Sequence, residues 1–178
     1  MIDKLSAPFP PEAIHWRAQT VRKDGTQALA LAYLDARDVM DRLDEVMSPA
    51  GWSDTFTETA KGRVICSLSL MLGDQWISKS DGAGDTAVEG EKGGISDAFK
   101  RAGVKWGIGR YLYDLGNVWA PCESRDFNNK KQFVKWKPEA EREFANALRA
   151  LSQGAAAQPA NPPETINDGQ REKLMALL

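Results

Sequence analysis

Residues 63–72, RVICSLSLML, decide the fold class of this 178-residue chain. Every second side chain of this run is apolar, which is the two-residue period of a strand with one buried face. Cys66 lies on that face, so the pattern also predicts a buried and unreactive thiol. Residues 53–59 precede the run and residues 75–80 follow it, and short turns separate both segments from it. The three segments therefore predict an antiparallel meander.

Two further elements precede the meander. Residues 36–47 place apolar side chains at the three- and four-residue spacing of a helix, and Asp35 is a candidate N-cap. Residues 13–33 predict a β-hairpin: apolar and polar side chains alternate from Ile14 to Gln19, an Asp-Gly step suits a tight turn, and residues 27–33 return as the second strand. His15 falls on the polar face of this hairpin, where we expect it to be solvated.

The sequence beyond the meander is less regular. Residues 81–94 hold five glycines, and helical spacing returns from about 95 to 105. Residues 110–120 are apolar and are expected to finish that helix and then extend. Residues 124–131 predict a basic, asparagine-rich loop, and proline opens a helix over 138–151. The order ββ-α-βββ-α predicts an α+β fold, in which an antiparallel β-sheet of a hairpin and a three-stranded meander packs on helices.

The composition divides the chain into a folded part and a tail. Residues 1–151 carry the predicted elements and form one domain of ordinary size. Residues 152–164 contain three prolines and no large aliphatic side chain, which is typical of a flexible linker. Residues 165–178 predict a short helical segment or a fragment of a second module.

Residue counts exclude several kinds of chemistry. One histidine and two distant cysteines do not supply the ligands of the common zinc sites, and they make no disulfide framework. No run is apolar and long enough to span a membrane, and no secretory signal is apparent, so we expect a cytoplasmic protein. The chain carries 23 basic and 25 acidic side chains, and its pI of about 5.5 by itself argues against a nucleic-acid ligand.

The charges are nevertheless segregated along the chain. The segment 35–58 carries seven acids and two bases, whereas 92–110 and 125–137 each carry five bases and one acid. A polyanion responds to the local field rather than to the net charge, so the two basic segments are candidate contacts for phosphates. Within 95–110, Phe99 and Trp106 point inward on the helical period, while Lys100, Arg101 and Lys105 lie on the outside.

A metal-dependent enzyme acting on nucleic acid is the alternative. Asp81, Asp85 and Glu89 lie in the glycine-rich segment and are the oxygen ligands that Mg²⁺ prefers. Acids in the first turn of a helix are more often caps and partners of the helix dipole, and we favour that interpretation here. Thr86 and Glu89 have the spacing of such a capping box.

Two stretches resemble a known family. Residues 93–116, GGISDAFKRAGVKWGIGRYLYDLG, resemble the signature helix of the single-strand-annealing recombination proteins of the Rad52/Rad22 family, in its phage and bacterial branch. Residues 33–52, YLDARDVMDRLDEVMSPAGW, resemble the strand-to-helix segment of the same family and end in its Gly-Trp pair. The similarity covers roughly residues 13–120.

The resemblance implies a protein that is not an enzyme and needs no ATP, metal or other cofactor. It implies rings or helical filaments of identical subunits that bind single-stranded DNA by its backbone and anneal complementary strands in recombination and repair, in a bacterial or phage-infected cell. Residues 1–151 would be the annealing and oligomerising domain. Apart from the resemblance, the prolines and the linker make the C-terminal tail a candidate recruitment site for a single-strand-binding protein.

The family's lysine-arginine pair, which grips the DNA backbone, matches Lys100 and Arg101. A further arginine found in eukaryotic members is replaced by Val104, and Lys105 beside it is the substitute. An arginine expected near the start of the first helix aligns with Asp38, and Arg37 is its neighbour. The remaining candidates for DNA contact are Lys61, Arg63 and Arg110.

Overall fold

The computed structural model describes residues 2–83 and 91–154, which form two antiparallel sheets and three helices. The predicted α+β class is therefore confirmed. The elements are β1 (His15–Val21), β2 (Gln27–Tyr33), α1 (Ala36–Met47), β3 (Trp52–Glu58), β4 (Val64–Leu72), β5 (Gln75–Gly82), α2 (Glu91–Lys105), β6 (Val118–Phe127), β7 (Lys130–Trp136) and α3 (Ala140–Gly154).

The meander β3-β4-β5 is a sheet of its own, with the long apolar strand β4 in the centre. Cys66, Leu68 and Leu70 are completely buried on the face of β4 that contacts α2. Burial raises the pKa of the Cys66 thiol to about 11, so the predicted unreactive thiol is consistent with its surroundings.

The predicted N-terminal hairpin forms β1 and β2, which belong to a four-stranded sheet in the order β1-β2-β6-β7. Gly25 lies in its turn at φ +76°, a conformation that glycine adopts without strain. α1 begins and ends at the predicted residues. The backbone N–H of Asp35 donates to the side chain of Asp38 at 2.9 Å, which completes a capping box.

Residues 124–131 do not form the predicted loop. They complete β6, make a turn and begin β7, and the turn residues Asn128 and Asn129 have φ of +48° and +58°. Asparagine tolerates this left-handed conformation, so the Asn-Asn pair marks a tight hairpin turn. The basic and polar side chains of these strands concealed the strand pattern. The structure thus adds a second hairpin to the predicted order.

Two helices differ from the prediction at their ends. α2 begins at Glu91, four residues before the predicted start, and α3 runs from Ala140 to Gly154, past the predicted end at Leu151. The capping box proposed at Thr86 and Glu89 lies outside the described residues, as does the tail from residue 155 onward.

Two apolar clusters hold these layers together. The larger cluster joins α1, α2 and β4, and the buried side chains of Leu43, Phe99 and Leu68 belong to it. The smaller cluster lies between the four-stranded sheet and α3, where the rings of Trp16 and Phe144 stack at 4.4 Å. α2 therefore rests on a rigid support, because both α1 and the meander pack against it.

Candidate nucleic-acid interface

α2 is fixed by its buried face. Ala98, Phe99 and Ala102 are almost fully buried, and Trp106, just beyond the helix, donates its indole N–H to the carbonyl oxygen of Leu68 at 3.0 Å. This hydrogen bond satisfies the one polar group that the tryptophan brings into the core. The side chains on the opposite side of the helix, including Lys100 and Arg101, consequently have a defined position.

A groove of about 550 Å³ lies between α2, β2 and the turn that follows α2. Arg17, Lys100 and Arg101 contribute positive charge to its lining, and Asp97 is the acid among its lining residues. Tyr33, at the end of β2, contributes an aromatic ring. The groove therefore combines cations with an aromatic surface.

Lys100 is half-buried on the hairpin side of α2. Its Nζ lies 5.5 Å from the centroid of the Tyr33 ring and 4.0 Å from a carboxylate oxygen of Asp97, one turn earlier on the same helix. Tyr33 and Asp97 hold the ammonium group near the groove. The pair with Asp97 is solvent-screened and weak, so a phosphate can replace the carboxylate as partner.

Arg101 also lines the groove, and its guanidinium extends toward β5. Its Nε and Nη2 donate to one carboxylate oxygen of Asp81, each at 3.3 Å, and 47% of the side chain remains exposed. The same oxygen accepts the backbone N–H of Gly82 at 2.7 Å. Asp81 is thus an ion-pair partner that orients Arg101.

This pairing bears on the metal-site alternative. One proposed ligand, Asp81, forms an ion pair with Arg101. The other two, Asp85 and Glu89, lie outside the described residues. Within 2–83 and 91–154, no three acids, histidines or cysteines are gathered as a metal ion would require. The part of the chain that the structure describes therefore offers no observation in favour of a metal centre.

Two of the predicted DNA contacts are engaged within the protein. Lys105 donates its ammonium group to the carbonyl oxygen of Ser80 on β5. Arg110 donates to the carbonyl oxygens of Val104 and Lys105 at 2.8–3.0 Å, which places a positive charge at the C-terminus of α2. Both side chains stabilise the end of the helix, and their contact with DNA stays a prediction.

The other three candidates are not among the residues that line the groove. Arg37 is exposed in the first turn of α1, and Lys61 and Arg63 are exposed at the turn between β3 and β4. Conversely, the sequence prediction missed Arg17 and Tyr33. Arg17 occupies a polar position of β1, but only the pairing of β1 with β2 brings it beside the groove.

His15 is not simply solvated as expected. Its Nε2 lies 3.7 Å from a carboxylate oxygen of Asp35 and 4.0 Å from one of Asp38, and its ring is tilted over Tyr33 at 5.5 Å. His15 thus lies beside the two acids at the start of α1.

No helix among the described residues is long and apolar enough to cross a membrane.

The chain also matches a known protein family. Residues 1–131 match the family described as "Rad52/22 family double-strand break repair protein". The match covers well over half of the chain, so the chain belongs to this family, and the resemblance seen in α2 is confirmed.

Two bacterial relatives narrow the comparison. The single-stranded DNA-binding protein DdrA of Deinococcus deserti is 38% identical over an alignment of 166 residues, with a coverage of 84% of this chain and 77% of that protein. DdrA of Deinococcus radiodurans is 36% identical over an alignment of 138 residues, with a coverage of 76% of this chain and 63% of that protein. The chain thus spans a little less than two thirds of the second relative.

Proposed function

We propose that this protein binds single-stranded DNA by its phosphate backbone and promotes ATP-independent annealing of complementary strands, without acting as an enzyme. The observation that carries the proposal is the groove in which Arg17, Lys100 and Arg101 lie together beside Tyr33. The family description and the printed name of both relatives support it.

Annealing sets a physical requirement that this groove meets. The bases must stay free to pair, so the protein has to hold the strand by contacts that do not read base identity. Lysine and arginine supply such contacts to phosphates, and an aromatic ring stacks with any base. Because Lys100 and Arg101 are attached to a helix that Phe99 and Trp106 anchor, their spacing is fixed before DNA binds.

Assembly of many copies would strengthen weak single contacts. The groove of one chain holds three cations, and a ring or helical filament of identical subunits would repeat them along one strand. We propose such an oligomer as the working form, in the cytoplasm of a bacterial or phage-infected cell. The tail beyond the folded part is the proposed recruitment site for a single-strand-binding protein.

The test is a double substitution, Lys100→Ala with Arg101→Ala. Each lost phosphate contact lowers the slope of log K against log[salt] by about 0.7 for a single strand, so the double variant should lose about 1.4 and anneal poorly. The matched control is Lys4→Ala with Arg142→Ala, which removes two exposed charges remote in sequence from α2. Equal binding by the parent and the groove variant would refute the site.

The same protein tests the enzymatic alternative. A labelled strand incubated with Mg²⁺ or Mn²⁺ should remain intact at every ratio of protein to DNA. Cleavage products that disappear on adding a chelator would contradict the proposal and favour a metal-dependent nuclease.

A further inference from the structure

The four-stranded sheet has two faces, and within the described residues a helix packs closely on one of them. α3 packs on the face that contains Ala30 and Ala120. Side chains alternate along a strand, so the odd-numbered residues of β2, among them Leu31 and Tyr33, lie on the opposite face. Arg17 pairs with Leu31 in register, and all three residues line the groove. The groove is thus one end of the uncovered face.

The uncovered face continues away from the groove onto β6. Leu29 of β2 pairs with Trp119, and Gln27 pairs with Pro121, so the odd-numbered residues of β6 share the face. β6 then extends past the end of β2 as one arm of the second hairpin and ends at Phe127. The face from Tyr33 to Phe127 is about 40 Å long at about 3.4 Å per residue.

Within residues 2–83 and 91–154, this extension carries more cations than its ion pairs engage. Lys131 binds Asp126 at 2.9 Å and Lys135 binds Glu123 at 3.3 Å, so the two acids of the hairpin are neutralised. Arg125 makes a hydrogen bond to the amide of Gln132, which leaves its charge uncompensated.

Two more cations and one acid lie beside these pairs. Lys130 is exposed opposite Phe127, and Arg22 extends from the first hairpin over the Trp119 ring at 4.5 Å. The carboxylate of Asp24, in the same turn as Arg22, accepts the backbone N–H of Thr26, which lowers its pKa. The local balance stays positive.

Aromatic rings lie among these cations. Trp119 is half-buried beneath Arg22, and Phe127 is 57% exposed at the tip of the second hairpin. An exposed ring at this turn contributes little to the core and is accessible to a base of a bound strand. Successive bases of a single strand stack on such rings regardless of sequence.

We infer that a single strand held in the groove continues along this uncovered face, which we call the sheet platform: Arg22, Trp119, Arg125, Phe127 and Lys130. Arg22, Arg125 and Lys130 bind phosphates, and Trp119 and Phe127 stack against bases. This inference rests on the proposed function, because it extends the path of the strand that the groove binds. It predicts a footprint longer than the groove alone provides.

The test compares oligothymidylates of about 6 nucleotides, near the lower end of the usual site sizes, and of about 18 nucleotides, beyond their upper end. In the parent, the longer strand should bind more tightly. Phe127→Ala should remove about 5-fold or more of that gain, as expected for one lost stacked base, and should leave the affinity for the short strand unchanged. Phe127→Trp should restore the gain, because it replaces the ring.

The controls separate this inference from the proposed function. Val134→Ala trims another exposed apolar side chain of the same hairpin and should change neither affinity. The Lys100→Ala, Arg101→Ala variant should weaken the short strand too, and failure of that result would count against the groove rather than the platform. A length gain in Phe127→Ala that equals the gain in the parent overturns the platform. An equal loss of affinity for a duplex of the same length overturns it as well, because a duplex does not present unstacked bases.

Discussion

Replacing Asp81 with asparagine tests how the protein positions Arg101 for DNA binding. The carboxylate of Asp81 accepts two hydrogen bonds from Arg101 at 3.3 Å, and a phosphate bound to the far side of that guanidinium would lie about 6 Å from the carboxylate. Repulsion between two unit charges at this distance is about 0.7 kcal/mol in water and about twice that at half the dielectric constant. Because 47% of the Arg101 side chain is exposed, solvent screening keeps the value in this range.

Asp81→Asn should therefore raise the affinity for single-stranded DNA by about 3- to 10-fold. The asparagine oxygen can still accept the N–H of Gly82, and loss of one exposed ion pair should cost less than about 1 kcal/mol of the free energy of unfolding. Fluorescence anisotropy with a labelled strand at fixed salt measures the affinity, and urea unfolding measures the stability. Asp41→Asn, on the exposed side of α1, is the control for the change in net charge.

A decrease in affinity in Asp81→Asn would refute this reasoning. If the decrease occurred only with Mg²⁺ present, Asp81 would be a metal ligand instead of a partner that competes with phosphate for Arg101.

Two further predictions concern stability. Arg110→Ala removes three hydrogen bonds to carbonyl oxygens at the end of α2. The free energy of unfolding should therefore fall by about 1 to 2 kcal/mol in urea titrations. Unchanged stability with weaker DNA binding would make Arg110 a DNA contact instead. Burial raises the pKa of the Cys66 thiol from its usual 9.0, which applies to the unfolded chain, to about 11 in the folded protein. The free energy of unfolding should therefore fall as the pH rises from about 9 to about 11. Cys66→Ala should show a smaller fall, and an identical fall would contradict the assigned burial.

The parts of the fold that the sequence predicted are those with strong periodicity. β4 alternates without interruption and α1 carries both its apolar stripe and its cap, so local sequence alone specifies them. β7 was missed because its outward side chains are lysine and glutamine and one residue, Val134, is left out of the pairing with β6. A strand of this composition is defined by its partner rather than by its own pattern.

The candidate site was predictable only in part, for a related reason. Lys100 and Arg101 are adjacent in sequence and belong to a recognisable motif. Arg17 reaches the groove through the register of β1 on β2, and Tyr33 through the end of β2, and neither relation is encoded locally. Net positive charge also overstates what DNA can use, because several of the counted bases are already paired with carboxylates or carbonyl oxygens.

The segment before the first strand has a practical consequence for anyone who trims this protein. Leu5 is completely buried, and Arg42 of α1 donates to the carbonyl oxygens of Lys4 and Ala7 while its guanidinium lies 4.0 Å above the ring of Phe9. A shortened protein that begins at β1 would lose Leu5 from the hydrophobic core. It would also leave Arg42 without its carbonyl acceptors. An N-terminal affinity tag should therefore be joined through a spacer that leaves these residues packed against the fold. Otherwise a low measured stability would result from the tag or the truncation.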